Sequence, residues 1–260
     1  MKISDNIECF APENMDFYDR IRLAKESGFD AIEFWGWEGK DLNRIKKLCD
    51  ENNLVVNAFS GDAQYSLCDD REMSQYIDYI EQSIKAAKVV ECDTLVIHSN
   101  ALDESGKALH YYNEYSSERK YGNMLRTLLE LKPVAEANKI TLVLESLNTL
   151  VDHQGYYLDD ALKAAEIVRL VDSPYIKILF DVYHMQIMKG NLCNMLEQVF
   201  DTLGHVHIAD NPGRFEPGTG EINFAAIFSK LRELGYDRYI GFELTPKNNY
   251  EDAAKKCTSL

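Results

Sequence analysis

The sequence predicts an α/β fold, a single (β/α)8 barrel spanning residues 1–260, and three observations carry that prediction. Eight short apolar runs recur along the chain, segments with apolar residues spaced by three and four separate them, and no linker, low-complexity stretch or internal repeat interrupts the series. A chain of 260 residues also matches one barrel of about 250 residues. The competing arrangement, a doubly wound open sheet, lacks the GxGxxG or P-loop that would follow its first strand.

Taken in order, the expected strands are NIECF (6–10), DAIEFW (30–35), LVVNAFS (54–60), TLVIHSN (94–100), TLVLES (141–146), IKILFDVYH (176–184), HVHIAD (205–210) and YIGFEL (239–244). Between them MDFYDRIRLAKESG, KDLNRIKKLCDENN, MSQYIDYIEQSIKAAKVV and NFAAIFSKLRELG carry an apolar stripe with charges on the opposite face, the pattern of helices packed on a sheet. Gly28, Asn53 and Gly235 stand where a helix would stop, because these residues tolerate the left-handed backbone of a C-terminal cap.

Bulk charge narrows the partners. With a net charge of -15 and a pI near 4.8, the average surface repels polyanions, and no basic stripe with interleaved aromatics is present, so nucleic acid is not an expected partner. No run approaches the roughly 18 apolar residues of a membrane span. The six cysteines are scattered without CxxC spacing and the first ten residues do not form a leader, which together predict a cytoplasmic protein with reduced thiols. Its 15 tyrosines suit a homo-oligomer interface, whose position the sequence does not give.

In a barrel of this kind the chemistry gathers at the C-terminal ends of the strands. Glu145 in LVLESLNT, Asp181 and His184 in LFDVYHMQ, His207 in HVHIAD and Glu243 in GFELTP all interrupt apolar runs there. From Glu145 to Asp181, His207 and Glu243 the steps are 36, 26 and 36 residues, each close to one βα unit. Four consecutive strands would therefore bring one such residue each to a common rim. Unpaired carboxylates are costly to bury, so four residues of this type in one place call for a cation. Three carboxylates and an imidazole suit Mn2+, Mg2+ or Co2+ better than the thiolate sets of structural zinc.

Other polar residues admit two readings. His205 shares a strand face with His207 and is better read as structural; His98 ends a strand and is balanced between ligand contact and packing. Glu33, Trp35 and Trp37 either wall the site or pack beneath a loop, and His110 and His153 receive no role. Arg214 lies in the glycine- and proline-bounded loop NPGRFEPGTGEIN. It either neutralises Asp210 or Glu216 within that loop or reaches the rim to bind a substrate carboxylate through its planar fork, and the second reading is preferred.

A divalent cation chelated by a carbonyl and its neighbouring hydroxyl favours loss of the intervening proton to an enediolate. With Glu145 and Glu243 as acid and base, that chemistry is aldose–ketose isomerisation or epimerisation beside a carbonyl.

Taken together, LVLESLNT, FDVYHMQIMKG and above all HVHIADNPGRFEPGTGEINF resemble the xylose isomerase-like barrel superfamily and, within it, the hydroxypyruvate isomerase family; SGFDAIEFW and LVVNAFSGD match more loosely. The resemblance implies a TIM barrel with one bound Mn2+ or Mg2+ that interconverts hydroxypyruvate and tartronate semialdehyde. It further implies that Glu145 and Glu243 are the paired acid/base residues and, with Asp181 and His207, the metal ligands, while His184 and Arg214 contact substrate. Histidine at position 207 is usual in the ketose 3-epimerases of the same superfamily, so a neutral ketose is the alternative substrate. A further alternative is a metal-binding subunit of a complex without activity of its own.

Overall fold

In the computed structural model, which describes residues 1–260, eight parallel strands close into one barrel. They are β1 (Lys2–Asn6), β2 (Ala31–Phe34), β3 (Val55–Ser60), β4 (Thr94–Ile97), β5 (Thr141–Glu145), β6 (Ile176–Asp181), β7 (Leu203–Ile208) and β8 (Tyr239–Phe242). Each pairs with its sequence neighbour, and β1 closes the ring by pairing with both β2 and β8. Helices return the chain between strands: α1 (Phe17–Glu26), α2 (Leu42–Asn52), α3 (Met73–Val89), α4 (Ser117–Asn138), α5 (Ala161–Val171), α6 (Val182–Met188), α7 (Leu192–Val199), α8 (Phe224–Glu233) and, after β8, α9 (Tyr250–Thr258).

Local sequence accounts for the helix ends. The side chains of Asp16, Asp41, Ser116, Asp160, Asn223 and Asn249 accept backbone N–H groups of the first turns of their helices. Asn53 terminates α2 in the left-handed region, and Gly28 and Gly235 take the same sense of φ just beyond α1 and α8.

One expected strand is misplaced. The apolar run at 6–10 predicts the first strand, but β1 is the polar stretch KISDN at 2–6. Its pattern is unusual because its inward face serves other polar groups: Ser4 donates to Glu33 and Asn6 to Glu243, while outward-facing Asp5 accepts from Tyr250 of α9. Similarly, the run expected as a strand over 176–184 ends at Asp181, and His184 belongs to α6. Asp181 itself makes that change, its Oδ1 capping α6 by accepting His184 N–H at 2.9 Å.

The main core, 68 buried residues, lies between barrel and helices; Ile32, Phe180, Ile240 and Phe242 are among its strand members. Each such side chain contributes about 1.5–3 kcal/mol on burial. Inside the barrel, Ala58, Val96, Val143 and Leu179 form a separate apolar plug on the β3–β6 side. The opposite side of the interior is polar, filled by Ser4, Glu33 and His205. No helix is long and apolar enough to cross a membrane.

Candidate metal centre and active site

Glu145 ends β5, Asp181 ends β6, His207 lies in β7 and Glu243 directly follows β8, so all four reach the C-terminal rim expected of them. They are at most 7% exposed. One donor atom from each lies within 4.8 Å of the others, a spacing that could hold a metal ion. Three atoms in this group, Glu145 Oε1, Asp181 Oδ2 and His207 Nδ1, have no hydrogen-bond partner although fully buried. Leaving such atoms bare would cost several kcal/mol in total, so a ligand that satisfies them is the simplest physical account. His207 Nδ1 lies 3.9 Å from Glu145 Oε1 and 3.3 Å from Glu243 Oε2.

The remaining atoms of these residues are held in place. Glu243 accepts Asn6 Nδ2 at 3.1 Å and the Trp35 indole N–H at 2.8 Å on Oε1, and Arg214 Nη2 at 2.6 Å on Oε2. Burial opposes ionisation of Glu243, but Arg214 and His207 outweigh it and hold its carboxyl well below the usual range. Burial, with Glu145 alongside, instead pushes Asp181 up. Glu145 Oε2 faces His98 Nε2 at 3.3 Å, and His98 Nδ1 contacts Asp62 Oδ1 at 2.8 Å. Asp62 in turn accepts Tyr76 O–H at 2.7 Å. Burial alone would favour neutral His98; the flanking carboxylates Asp62 and Glu145 reverse that and raise it to about 10.

Arg214 lines the cavity over this group, whereas His184 is fully buried and is not among the lining residues. Asn148 Oδ1 accepts the N–H groups of Val151 and Asp152 at 3.0 Å each, which turns its amide nitrogen toward His184 Nδ1 at 2.7 Å. His184 Nδ1 is therefore the acceptor, and Nε2 carries the hydrogen, unpartnered and 3.7 Å from Asp181 Oδ2. Burial and then Arg214 keep this imidazole neutral, well below its usual range. Arg214 adopts a left-handed φ of 55°, and its carbonyl accepts Thr245 N–H at 2.9 Å, anchoring the loop to the segment after β8. Its guanidinium pairs with Glu243 rather than with Asp210 or Glu216, which are occupied by backbone amides and, for Glu216, Lys256. Arg214 Nε remains free of partners.

Several residues carry more than their sequence context suggested. Glu33 lies at the floor of the cavity, bonded to His205 at 3.0 Å and His207 at 2.8 Å, and these three residues form a second group whose donor atoms are close enough to hold a metal ion. Trp35 is half exposed at the rim, whereas Trp37 is packed away, its N–H donated to Ser83 of α3. Asp62, Asn6 and Asn148 carried no signal in the sequence beyond being polar near strand ends. His110 and His153 stay outside the four-residue group, with His153 Nδ1 donating to the Gly106 carbonyl. A cavity of about 950 Å3 opens over the centre, lined by Glu145, His207, Glu243, Arg214, His98 and Trp35.

Comparison with known proteins agrees with the fold. A family model described as xylose isomerase-like TIM barrel matches residues 21–260. Hydroxypyruvate isomerase of Escherichia coli (strain K12) is 28% identical, covering 96% of each chain. The 2-oxo-tetronate isomerase of Haemophilus influenzae is 29% identical over 89% of this chain and 88% of that one. Among solved structures, the apo 3-keto-D-glucoside 4-epimerase of E. coli superposes with a TM-score of 0.83 at 27% identity, with full coverage of both chains.

Proposed function

The chain belongs to the xylose isomerase-like TIM barrel family and is an isomerase, and from that premise we propose that it isomerises a short 2-oxo/hydroxy acid, hydroxypyruvate to tartronate semialdehyde, with a divalent metal. The observation that carries this reading is the convergence of Glu145 Oε1, Asp181 Oδ2 and His207 Nδ1, buried and unpartnered, beside Glu243. Three carboxylates and one imidazole fit Mn2+ or Mg2+, with Co2+ as a third candidate. Bound there, the ion would polarise the substrate carbonyl and stabilise negative charge on the adjacent oxygens.

The protein's own groups then move the proton. One of Glu145 and Glu243 removes a hydrogen from the hydroxymethyl carbon, giving an enediolate; the other returns a proton to the former carbonyl carbon, while the hydroxyl proton passes between the two oxygens. His98 occupies Glu145 Oε2, leaving Oε1 toward the centre. Arg214 steadies Glu243 through Nη2 and offers its free Nε to the substrate carboxylate, with the His184 Nε2–H as a second donor. We place this reaction in the cytoplasm.

A second reading is favoured by the cavity, whose volume of about 950 Å3 exceeds what a three-carbon acid needs. A four-carbon 2-oxo acid or a ketose would use the same groups. Turnover of hydroxypyruvate, 2-oxo-tetronate and a ketohexose by wild type and Arg214→Lys separates these. Lysine keeps the charge but loses the fork, so an acid substrate should lose over tenfold in kcat/KM. Turnover of the ketose alone, with Arg214→Lys equally active on it, would overturn the acid reading.

A further inference from the structure

Glu33 is the most heavily engaged carboxylate inside the barrel. It is 2% exposed, and its Oε1 accepts from Ser4 Oγ, from Asn57 Nδ2 at 2.8 Å and from His205 Nε2 at 3.0 Å. Oε2 is thereby left to His207 Nε2 at 2.8 Å. A carboxylate oxygen accepts, so Nε2 of His207 carries a hydrogen toward Glu33, and Nδ1, which faces Glu145 and Glu243, is the nitrogen that a cation would take in place of a proton.

The backbone is shaped around this contact. The register between β2 and β3 slips at Glu33, making Asn57 the extra residue, and that residue reaches Oε1. On the other side β8 carries a glycine: a Cβ at Gly241 would lie 2.6 Å from Glu33 Oε1 and 2.7 Å from His207 Cδ2. Only a residue without a side chain lets carboxylate and imidazole lie together there.

We propose that Glu33 is a positioning residue of the metal centre, holding His207 in its Nε2–H form from inside the barrel so that Nδ1 is the metal donor. The inference rests on the ligand set proposed above and adds a residue from the opposite half of the barrel. Its sharpest consequence concerns Glu33→Gln. Three donors meet Oε1, so the amide oxygen of glutamine takes that side and its NH2 faces Nε2–H of His207. Donor then opposes donor, and the ring must turn or move its hydrogen to Nδ1, where a metal cannot displace it freely.

Titration of the metal-free full-length protein with Co2+, followed by visible absorption, tests this directly. Glu33→Gln should raise the Co2+ dissociation constant about 10- to 100-fold, with far-UV circular dichroism unchanged. Gly241→Ala, which presses on the same contact, should act in the same direction. In the Zn2+-loaded wild type, 15N-histidine NMR should give His207 bound through Nδ1 with a protected Nε2–H, a signature that a merely structural carboxylate would not fix. Folded variants that bind Co2+ within twofold of wild type, or His207 bound through Nε2, would overturn the proposal. Should both variants fail to fold, the wild-type NMR decides alone. A wild type that binds neither Co2+ nor Zn2+ removes the ligand set itself, and the role of Glu33 with it.

Discussion

The two halves of the barrel divide the labour. Strands β5 to β8 supply Glu145, Asp181, His207 and Glu243, whereas β1 to β4 and the loops that follow them supply what holds these residues: Asn6 and Trp35 on Glu243, Glu33 on His207, His98 and Asp62 on Glu145. Asn6 and His98 reach Glu243 and Glu145 from neighbouring strands, whereas Glu33 meets His207 across the barrel interior. The half bearing the candidate reactive groups is not self-sufficient, since a buried carboxylate or imidazole is useful only when its unused atoms are satisfied elsewhere.

Substitutions in the two halves should therefore differ in kind. Glu243→Gln in the second half removes a proposed proton-transfer group and should lower kcat roughly 10^2- to 10^4-fold with the fold intact, read by product NMR beside circular dichroism. Asp5→Asn in the first half probes the outward face of the same strand that carries Ser4 and Asn6. Burial is the main cause raising the Asp5 carboxyl to about 7, with Tyr250 opposing it. The folded protein thus holds a proton there that the unfolded chain, titrating near 4, has released. Stability should fall as pH rises from about 4 to about 7, by on the order of 2–4 kcal/mol, and level off above. Urea unfolding at pH 5 and pH 8 should give a smaller loss in Asp5→Asn, and kcat should not change, which would separate scaffold from site within one strand.

Smaller effects sharpen the division at the supports. Asp62→Asn weakens the clamp on His98 and so the placement of Glu145; kcat should fall about 10-fold while KM moves little. Trp35→Phe removes one of the two N–H groups on Glu243 Oε1 and leaves the other from Asn6, so a loss of roughly 2- to 10-fold in kcat is expected. If Trp35→Phe cost as much as Glu243→Gln, the distinction between reactive and supporting halves would fail.

The same division governs what the amino-acid sequence makes legible. Residues of the second half announce themselves because a carboxylate or histidine ends an apolar run once per βα unit, and periodicity is a local property. Seven of the eight strands and the C-terminal residues of helices α1, α2 and α8 are legible for the same reason. The supports are not, since Glu33 and His207 are 174 positions apart and Asn6 and Glu243 are 237 apart, and no short pattern joins them. Strand β1 escapes for a related cause: its side chains answer to polar partners inside the barrel and at α9, so its sequence lacks the apolar signature of a buried strand. LFDVYH reads as one run and so predicts a strand through His184; the capping role of Asp181, which turns the chain into a helix, shows only in three dimensions.

In the proposed reaction, carboxylates of one half, held by the other half and assisted by a divalent ion, move a proton beside a carbonyl. Proton NMR of hydroxypyruvate in D2O with the Mg2+-loaded protein, beside the same protein stripped with EDTA, tests it most directly. Deuterium entering the substrate carbon, or aldehyde appearing, in the loaded sample and not in the stripped one is the predicted result. Equal exchange in both samples, or none in the loaded one with either hydroxypyruvate or 2-oxo-tetronate, would contradict it.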